Sequence, residues 1–317
     1  MFPIFLVDYP FIRKGHSFIM DSNNQARVKD RSQRPLISTW TGLVMAIVAI
    51  AASSLQILAQ QPPNGTRPNT RNAPPKASSP AQPRPQPGSP SSSSNDPQLL
   101  LAAGQAAQDQ GRFDEAVSTY NRVVALSANQ PRTAAIANFR IGNTYMAQGK
   151  FGNAEVAFER AVTLDPTNAD SYNNLGEALG ELKQYPRALE AFNKAIALDQ
   201  KLLKAKYNQA VTYDRMGNFR YSEFVFRSLI KNNPNYSLSY DGLAVTLSKA
   251  GRAKEAIAFH EKAIVLDPRE PSYYFNCAIS YLMLGNTSKA LEQQEKLKAL
   301  DPAVADRLAS VIIKHQM

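Results

Sequence analysis

The side chains that most often ligate metals or act as catalytic bases are scarce here. Cys277 is the only cysteine, and His16, His260 and His315 are the only histidines. A structural zinc site takes four ligands, so one thiolate and scattered imidazoles would need recruited carboxylates to complete it. The spacing contains no nucleophile–histidine–acid set, no phosphate loop and no metal cluster. Glu155 and Glu159 stand one helical turn apart, the pattern of a solvated face rather than an acid/base pair. No metal, cofactor or small-molecule substrate is expected, and the chain reads as non-enzymatic. Cys277 can form no intrachain disulfide and reads as a small buried thiol. One charge cluster stands out. Lys201, Lys204, Lys206, Arg215, Arg220, Arg227 and Lys231 face only Asp199, Asp214 and Glu223, an excess of four positive charges. Such a stretch is either an ordinary solvated face or a site for an acidic partner.

The elements that carry these residues recur with a period of 34 residues. Gly142 and Tyr145 lead to Gly149, Phe151, Ala154, Phe158, Ala161 and Pro166. The next unit gives Leu175, Gly176, Leu179, Tyr185, Ala188, Phe192 and Ala195. Ala210, Tyr213, Gly217, Phe219, Phe226 and Pro234 follow. Tyr240, Leu247, Gly251, Ala256, Ala263 and Pro268 come next, then Tyr274, Tyr281, Gly285, Ala290 and Pro302. A fixed period of this length predicts a stacked solenoid, since each unit is too small to bury a core alone. Two helices of about 13 residues and two tight turns fit one period. Small residues such as Gly142 and Gly176 let paired helices approach. Phe158, Phe192 and Phe226 fill the space between units. Gly111, Gly149, Gly217, Gly251 and Gly285 suit the left-handed turn after a first helix. Prolines stop the second helices. The first unit is the least regular, and residues 131–134 separate it from the second. Val304, Leu308, Val311 and Ile312 form an apolar stripe predicting a cap helix over 303–315.

The pattern of Leu-Gly, Tyr, Ala, Phe, Ala and Pro resembles the tetratricopeptide repeat. The resemblance implies an all-α fold: a right-handed superhelical solenoid of about six helix-turn-helix repeats plus the cap helix. The repeats run over 97–130, 135–168, 169–202, 203–236, 237–270 and 271–304. It further implies that first helices line a concave groove that binds peptide segments of other proteins. The corresponding positions are Phe139, Arg140, Asn143, Asn173, Asn174, Glu177, Lys204, Tyr207, Asn208, Arg215, Asp241, Phe275 and Asn276. Some family members clamp a peptide's terminal carboxylate with Lys, Asn, Asn, Lys and Arg. Asn143, Asn174 and Lys204 match that clamp, whereas Phe139 replaces its first Lys and Asn208 its Arg. Losing two cations weakens carboxylate binding, because charged donors make the stronger hydrogen bonds. A groove that reads an extended or helical segment through amides and aromatics suits these residues better.

Three further segments precede the repeats. Residues 1–35 form a basic arm. Residues 36–59 are predominantly apolar, and no charge occurs between Pro35 and Thr66. Residues 60–96 form a Pro/Ser-rich linker expected to be disordered; eleven of the chain's 21 prolines lie in 60–97. Two readings fit 36–59. As a signal anchor, 24 residues of helix span ~36 Å, enough for a hydrocarbon core of ~30 Å. Arg27, Lys29, Arg31 and Arg34 would then hold the N-terminus in the cytoplasm. As a cleaved signal peptide, the short dense core at 42–52 serves as the apolar region. Met20 is an alternative start. Both readings place the repeats on the non-cytoplasmic side of a membrane, either tethered or secreted.

The net charge of +10 does not indicate nucleic acid. Residues 1–59 carry 6 basic and 3 acidic groups, and residues 60–97 carry 4 and 1, so most of the excess lies outside the repeats. Neither segment interleaves aromatics with basic residues. The expected function is a protein–protein interaction scaffold. The alternatives are a subunit of an envelope or secretion assembly, or a binder of an anionic cell-surface polymer through the basic fourth repeat and linker.

Overall fold

The computed structural model describes residues 95–316. The expected arm, the apolar segment 36–59 and the linker as far as residue 94 lie outside the described residues. Among the described residues there are thirteen helices and no strand. Helices α1 (Pro97–Asp109) and α2 (Phe113–Leu126) make the first unit. The next three units are α3 (Pro131–Ala147) with α4 (Phe151–Leu164), α5 (Ala169–Glu181) with α6 (Tyr185–Leu198), and α7 (Leu203–Arg215) with α8 (Phe219–Asn232). Then come α9 (Ser237–Lys249) with α10 (Ala253–Leu266), α11 (Pro271–Met283) with α12 (Thr287–Leu300), and a final helix, α13 (Pro302–Gln316). Residues 131–134 do not form a connector. They are the first turn of α3, which starts at Pro131, where a missing N–H costs nothing. None of these helices is long and apolar enough to cross a membrane.

The turn inside each unit has one chemistry. Gly111, Gly149, Gly217, Gly251 and Gly285 take φ between 69 and 81°. The residue after each donates its N–H five residues back, as Arg112 does to the Ala107 carbonyl at 2.8 Å. This satisfies carbonyls that a helix end leaves orphaned. The third unit keeps that bond, from Gln184 to Leu179, with Lys183 in the turn at φ 61°. Side chains cap several helix starts: Asp96, Asn168, Asn218 and Asn286 each accept a backbone N–H from the following turn.

Packing within a unit rests on a ring against a glycine. A Cβ placed on Gly104, Gly142 or Gly176 would stand 2.5, 2.5 or 2.6 Å from the ring of Tyr120, Phe158 or Phe192, so no side chain fits there. All three rings are completely buried. In the fourth unit Ala210 occupies that slot, and the Phe226 ring instead lies against Gly242 of the next unit. Each helix touches its predecessor, and successive first helices also touch one another. Successive second helices keep their backbones further apart and meet only through long side chains, as Arg187 meets Glu155. The first helices therefore form the inner, crowded side of the array and the second helices the outer side. Helix α13 buries Ala305, Leu308 and Ile312 on the last unit and closes the core.

Two substitutions test this packing. Gly142→Ala should destabilise the protein by about 1–3 kcal/mol, because the Phe158 ring has nowhere to retreat. Lys183→Gly should stabilise it by about 1 kcal/mol, by removing a side chain from the left-handed region. Urea melts of both variants against wild type measure the two shifts.

Candidate functional site: the inward face of the first helices

Crowding on the inner side brings polar side chains of adjacent units together. The sixth residue of each of three successive units reaches back to the ninth residue of the unit before. Arg140 donates to Gln105, Asn174 to Asn143 at 2.7 Å, and Asn208 to Glu177 at 3.0 Å. Asn208 also donates to Asn173 at 3.1 Å, and Asn173 to Glu177 at 2.6 Å. Neighbouring positions repeat the arrangement. Thr144 donates to Gln108, Lys204 pairs with Asp170, Arg215 with Glu181, and Lys249 with Asp214 at 2.7 Å. In each pair the later unit supplies the donor and the earlier unit the acceptor. Partly buried ion pairs of this kind gain more than exposed ones, because less water screens them.

This ladder divides the thirteen sequence-predicted residues. Asn173, Glu177, Tyr207, Asn208, Asp241, Phe275 and Asn276 are buried and hold units to one another. Phe139, Arg140, Asn143, Asn174, Lys204 and Arg215 are half-buried. Phe139 packs its ring on Phe158 at 5.9 Å. Burial forces the Tyr207 phenol well above its usual range, with the Asp241 carboxylate adding to the effect, so it stays protonated. Between the fourth and fifth units the ladder changes character. Gly242 and the buried Val211 stand at the sixth and ninth positions, and the Phe226 ring fills the gap.

The fifth and sixth units hold an arrangement that sequence reasoning missed. His260 Nδ1 lies 2.5 Å from Asp241 Oδ1, and its Nε2 lies 3.1 Å from Ser280 Oγ. Ser280 shares a hydrogen bond with Ser248 at 2.8 Å, and Asn276 donates to the second oxygen of Asp241 at 3.1 Å. The order Ser–His–Asp is that of a hydrolytic triad, contrary to the expectation that no such set exists. Its setting is not that of a working nucleophile. Asp241, His260 and Ser280 each have no exposed surface, so no substrate reaches Ser280 Oγ. The three residues come from α9, α10 and α11, and they pin those helices together. Their spacings of 19 and 20 residues carry no motif. Cys277, beside them, is fully buried; burial, helped by Glu261 and Asp241, pushes its thiol up to about 12.

Two measurements follow from these burials. Asn208→Ala removes a donor from both Asn173 and Glu177, and should cost about 1–3 kcal/mol in a denaturant melt. Cys277 should react with a disulfide reagent at pH 8 only at the unfolding rate, since little thiolate exists in the folded state. Prompt labelling of the native protein would contradict that burial.

Known proteins share these repeats. Residues 142–183 match a family model described as TPR repeat, and residues 101–141, 169–202 and 238–266 match models described as tetratricopeptide repeat. Anaphase-promoting complex subunit 3 of Schizosaccharomyces pombe is 26% identical over 166 residues, 52% of this chain and 25% of its own length. The human protein O-mannosyl-transferase TMTC3 is 27% identical over 210 residues, 65% of this chain and 22% of its own length. The chain thus spans about a quarter of each of these relatives. A crystal structure of a tetratricopeptide repeat protein from Parabacteroides merdae superposes with a TM-score of 0.59 at 19% identity, covering 70% of this chain and 86% of that one. With its paired helices, its ring-on-glycine contacts and these four matches, the chain is a tetratricopeptide-repeat protein.

Proposed function

We propose that this protein is a non-catalytic scaffold whose groove binds extended or helical segments of partner proteins. The observation that carries the reading is the run of half-buried donors along the first helices of units two to four. Arg140, Asn143, Asn174, Lys204 and Arg215 each use part of their hydrogen-bonding capacity within the ladder and remain partly exposed. An amide or guanidinium already fixed by one partner loses little freedom on binding a second. Phe139 adds an apolar contact on the same face. The repertoire suits main-chain amides and acidic side chains of a peptide.

Residues 36–59 would place these repeats on the non-cytoplasmic side of a membrane, as an anchor or as a cleaved signal. The support is the charge-free stretch from Pro35 to Thr66, preceded by four basic residues. Intact mass of the protein from its host distinguishes the two. A subunit role in a larger assembly is the second reading. It is favoured by the similarity to a protein whose name makes it a subunit of a complex.

Selection from a random peptide library tests the groove. Wild-type protein should enrich peptides that bind at least tenfold more weakly to an Asn174→Ala, Lys204→Ala double variant, given ~1.5–3 kcal/mol for a hydrogen bond to a charged group. The variant should keep its helical circular dichroism. Selected peptides that bind both proteins equally, or crosslink only to second helices, would overturn the reading.

A further inference from the structure

The outer surface of the fourth unit carries a second feature that the groove does not explain. On α8, Arg220, Phe224, Arg227 and Lys231 recur at i, i+4, i+7 and i+11, so they form one stripe along the helix. Phe224 is 71% exposed and Tyr221, beside it, is 59% exposed. A lone exposed aromatic is ordinary, but this one forms a wall of a cavity of about 210 Å³ between α6, α7 and α8, far more than a water molecule needs. Ile196, Val225 and Leu229 give it an apolar floor. Gln209 and Asn193 edge it, hydrogen-bonded to each other at 2.6 Å, and Lys206 stands at its rim.

The stripe is short of counter-charge for an identifiable reason. The fourth unit has only two acidic residues: Asp214 pairs with Lys249 of the next unit, and Glu223 is shared by Arg227 of the stripe and Arg252 at 2.8 and 2.7 Å. Asp199, at the end of the third unit, accepts the Lys201 backbone N–H. Arg227 is held further by its contact over the Phe259 ring at 5.5 Å. Among the described residues, no carboxylate lies within ion-pair distance of Arg220 or Lys231. These two cations stand eleven residues apart on α8, about 16 Å, with Phe224 between them.

We infer that this face docks an acidic segment of another protein, one that places a bulky apolar side chain in the cavity beside Phe224 and carboxylates on Arg220 and Lys231. An extended segment covers that distance in about five residues. Charge argues against the chain's own linker as occupant. Residues 60–97 carry 4 basic groups and 1 acidic, and the stripe repels them. The concave, amide-edged pocket argues against a flat anionic surface, which would need the cations but not the cavity.

The test uses the full-length chain and a set of fluorescein-labelled synthetic peptides. Each carries a Leu or Phe flanked by Asp or Glu, with the carboxylates three to six residues apart. Neutral Asn/Gln versions serve as controls. The expected result is binding by members of the acidic set that weakens with added salt. It should fall at least tenfold for Phe224→Ala and for Arg220→Glu, Lys231→Glu. Because these side chains are exposed, the melting temperature should hold, and the Asn174→Ala, Lys204→Ala groove variant should bind as wild type does. The inference is overturned by any of four results: no acidic peptide binds, the Phe224 and charge-reversal variants bind undiminished, neutral controls bind equally, or phosphatidylglycerol vesicles are the only probe retained. A Phe224-dependent dimer in size-exclusion chromatography would also overturn it, assigning the face to a second copy.

Discussion

The first four units of this array depend on a ring lying directly on a backbone. Tyr120, Phe158 and Phe192 occupy the space a Cβ would take on Gly104, Gly142 and Gly176. That contact sets how closely the two helices of a unit approach, because a close-packed ring against a backbone leaves no space to yield. Close approach within each unit fixes the angle at which the next unit can stack. The backbones of successive first helices then approach one another, whereas second helices are bridged only by long side chains. Without the glycine slot the units would splay, and the inner polar side chains would lose their partners. The fourth unit shows the same constraint solved differently: with Ala210 in the slot, Phe226 finds its glycine at Gly242, across the unit boundary.

The polar ladder is the consequence of that crowding. Side chains brought inward must bond to one another, since a buried unsatisfied polar group costs about 1–3 kcal/mol. A sixth residue meets a ninth residue of the preceding unit at a spacing of 31 residues, or of 35 where residues 131–134 lengthen α3. Lys204 and Asp170, and Arg215 and Glu181, meet instead at equivalent positions of neighbouring units. Residues of this ladder are structural and still partly exposed: Asn174 bonds to Asn143 and is only half-buried. In the fifth and sixth units Asp241, His260, Ser280 and Asn276 turn wholly inward and serve packing alone.

The sequence made the repeat legible because its strongest signals are backbone requirements. Glycine with positive φ and the glycine under a ring are strongly favoured there, and they recur in phase. Lys183 was not legible as a turn residue, because the third unit holds its left-handed turn with the same backbone bond and no glycine. The candidate positions on the first helices were found by register, but register does not say which neighbour a side chain meets. Tyr207, Asn208 and Asp241 stand at groove positions and are nonetheless buried by the adjoining unit. The Ser280–His260–Asp241 cluster was invisible for the same reason. It joins three helices whose contact is a property of stacking, not of spacing along the chain.

The direction of the ladder also shapes the outer surface. Each unit gives its acceptors to the unit that follows and its donors to the unit before. Lys204 and Arg215 of the fourth unit are spent on Asp170 and Glu181, and Asp214 is spent on Lys249. On the second helices the same direction holds: Arg187 reaches back to Glu155 and Glu159, and Arg252 to Glu223. The fourth unit, rich in cations and carrying few acids, gives Asp214 to Lys249 and shares Glu223 between its own Arg227 and Arg252 of the next unit. The basic stripe of α8 is what that stapling leaves over. Arg220 and Lys231 take no part in it, so the outer charge of the fourth unit can change without loosening the array.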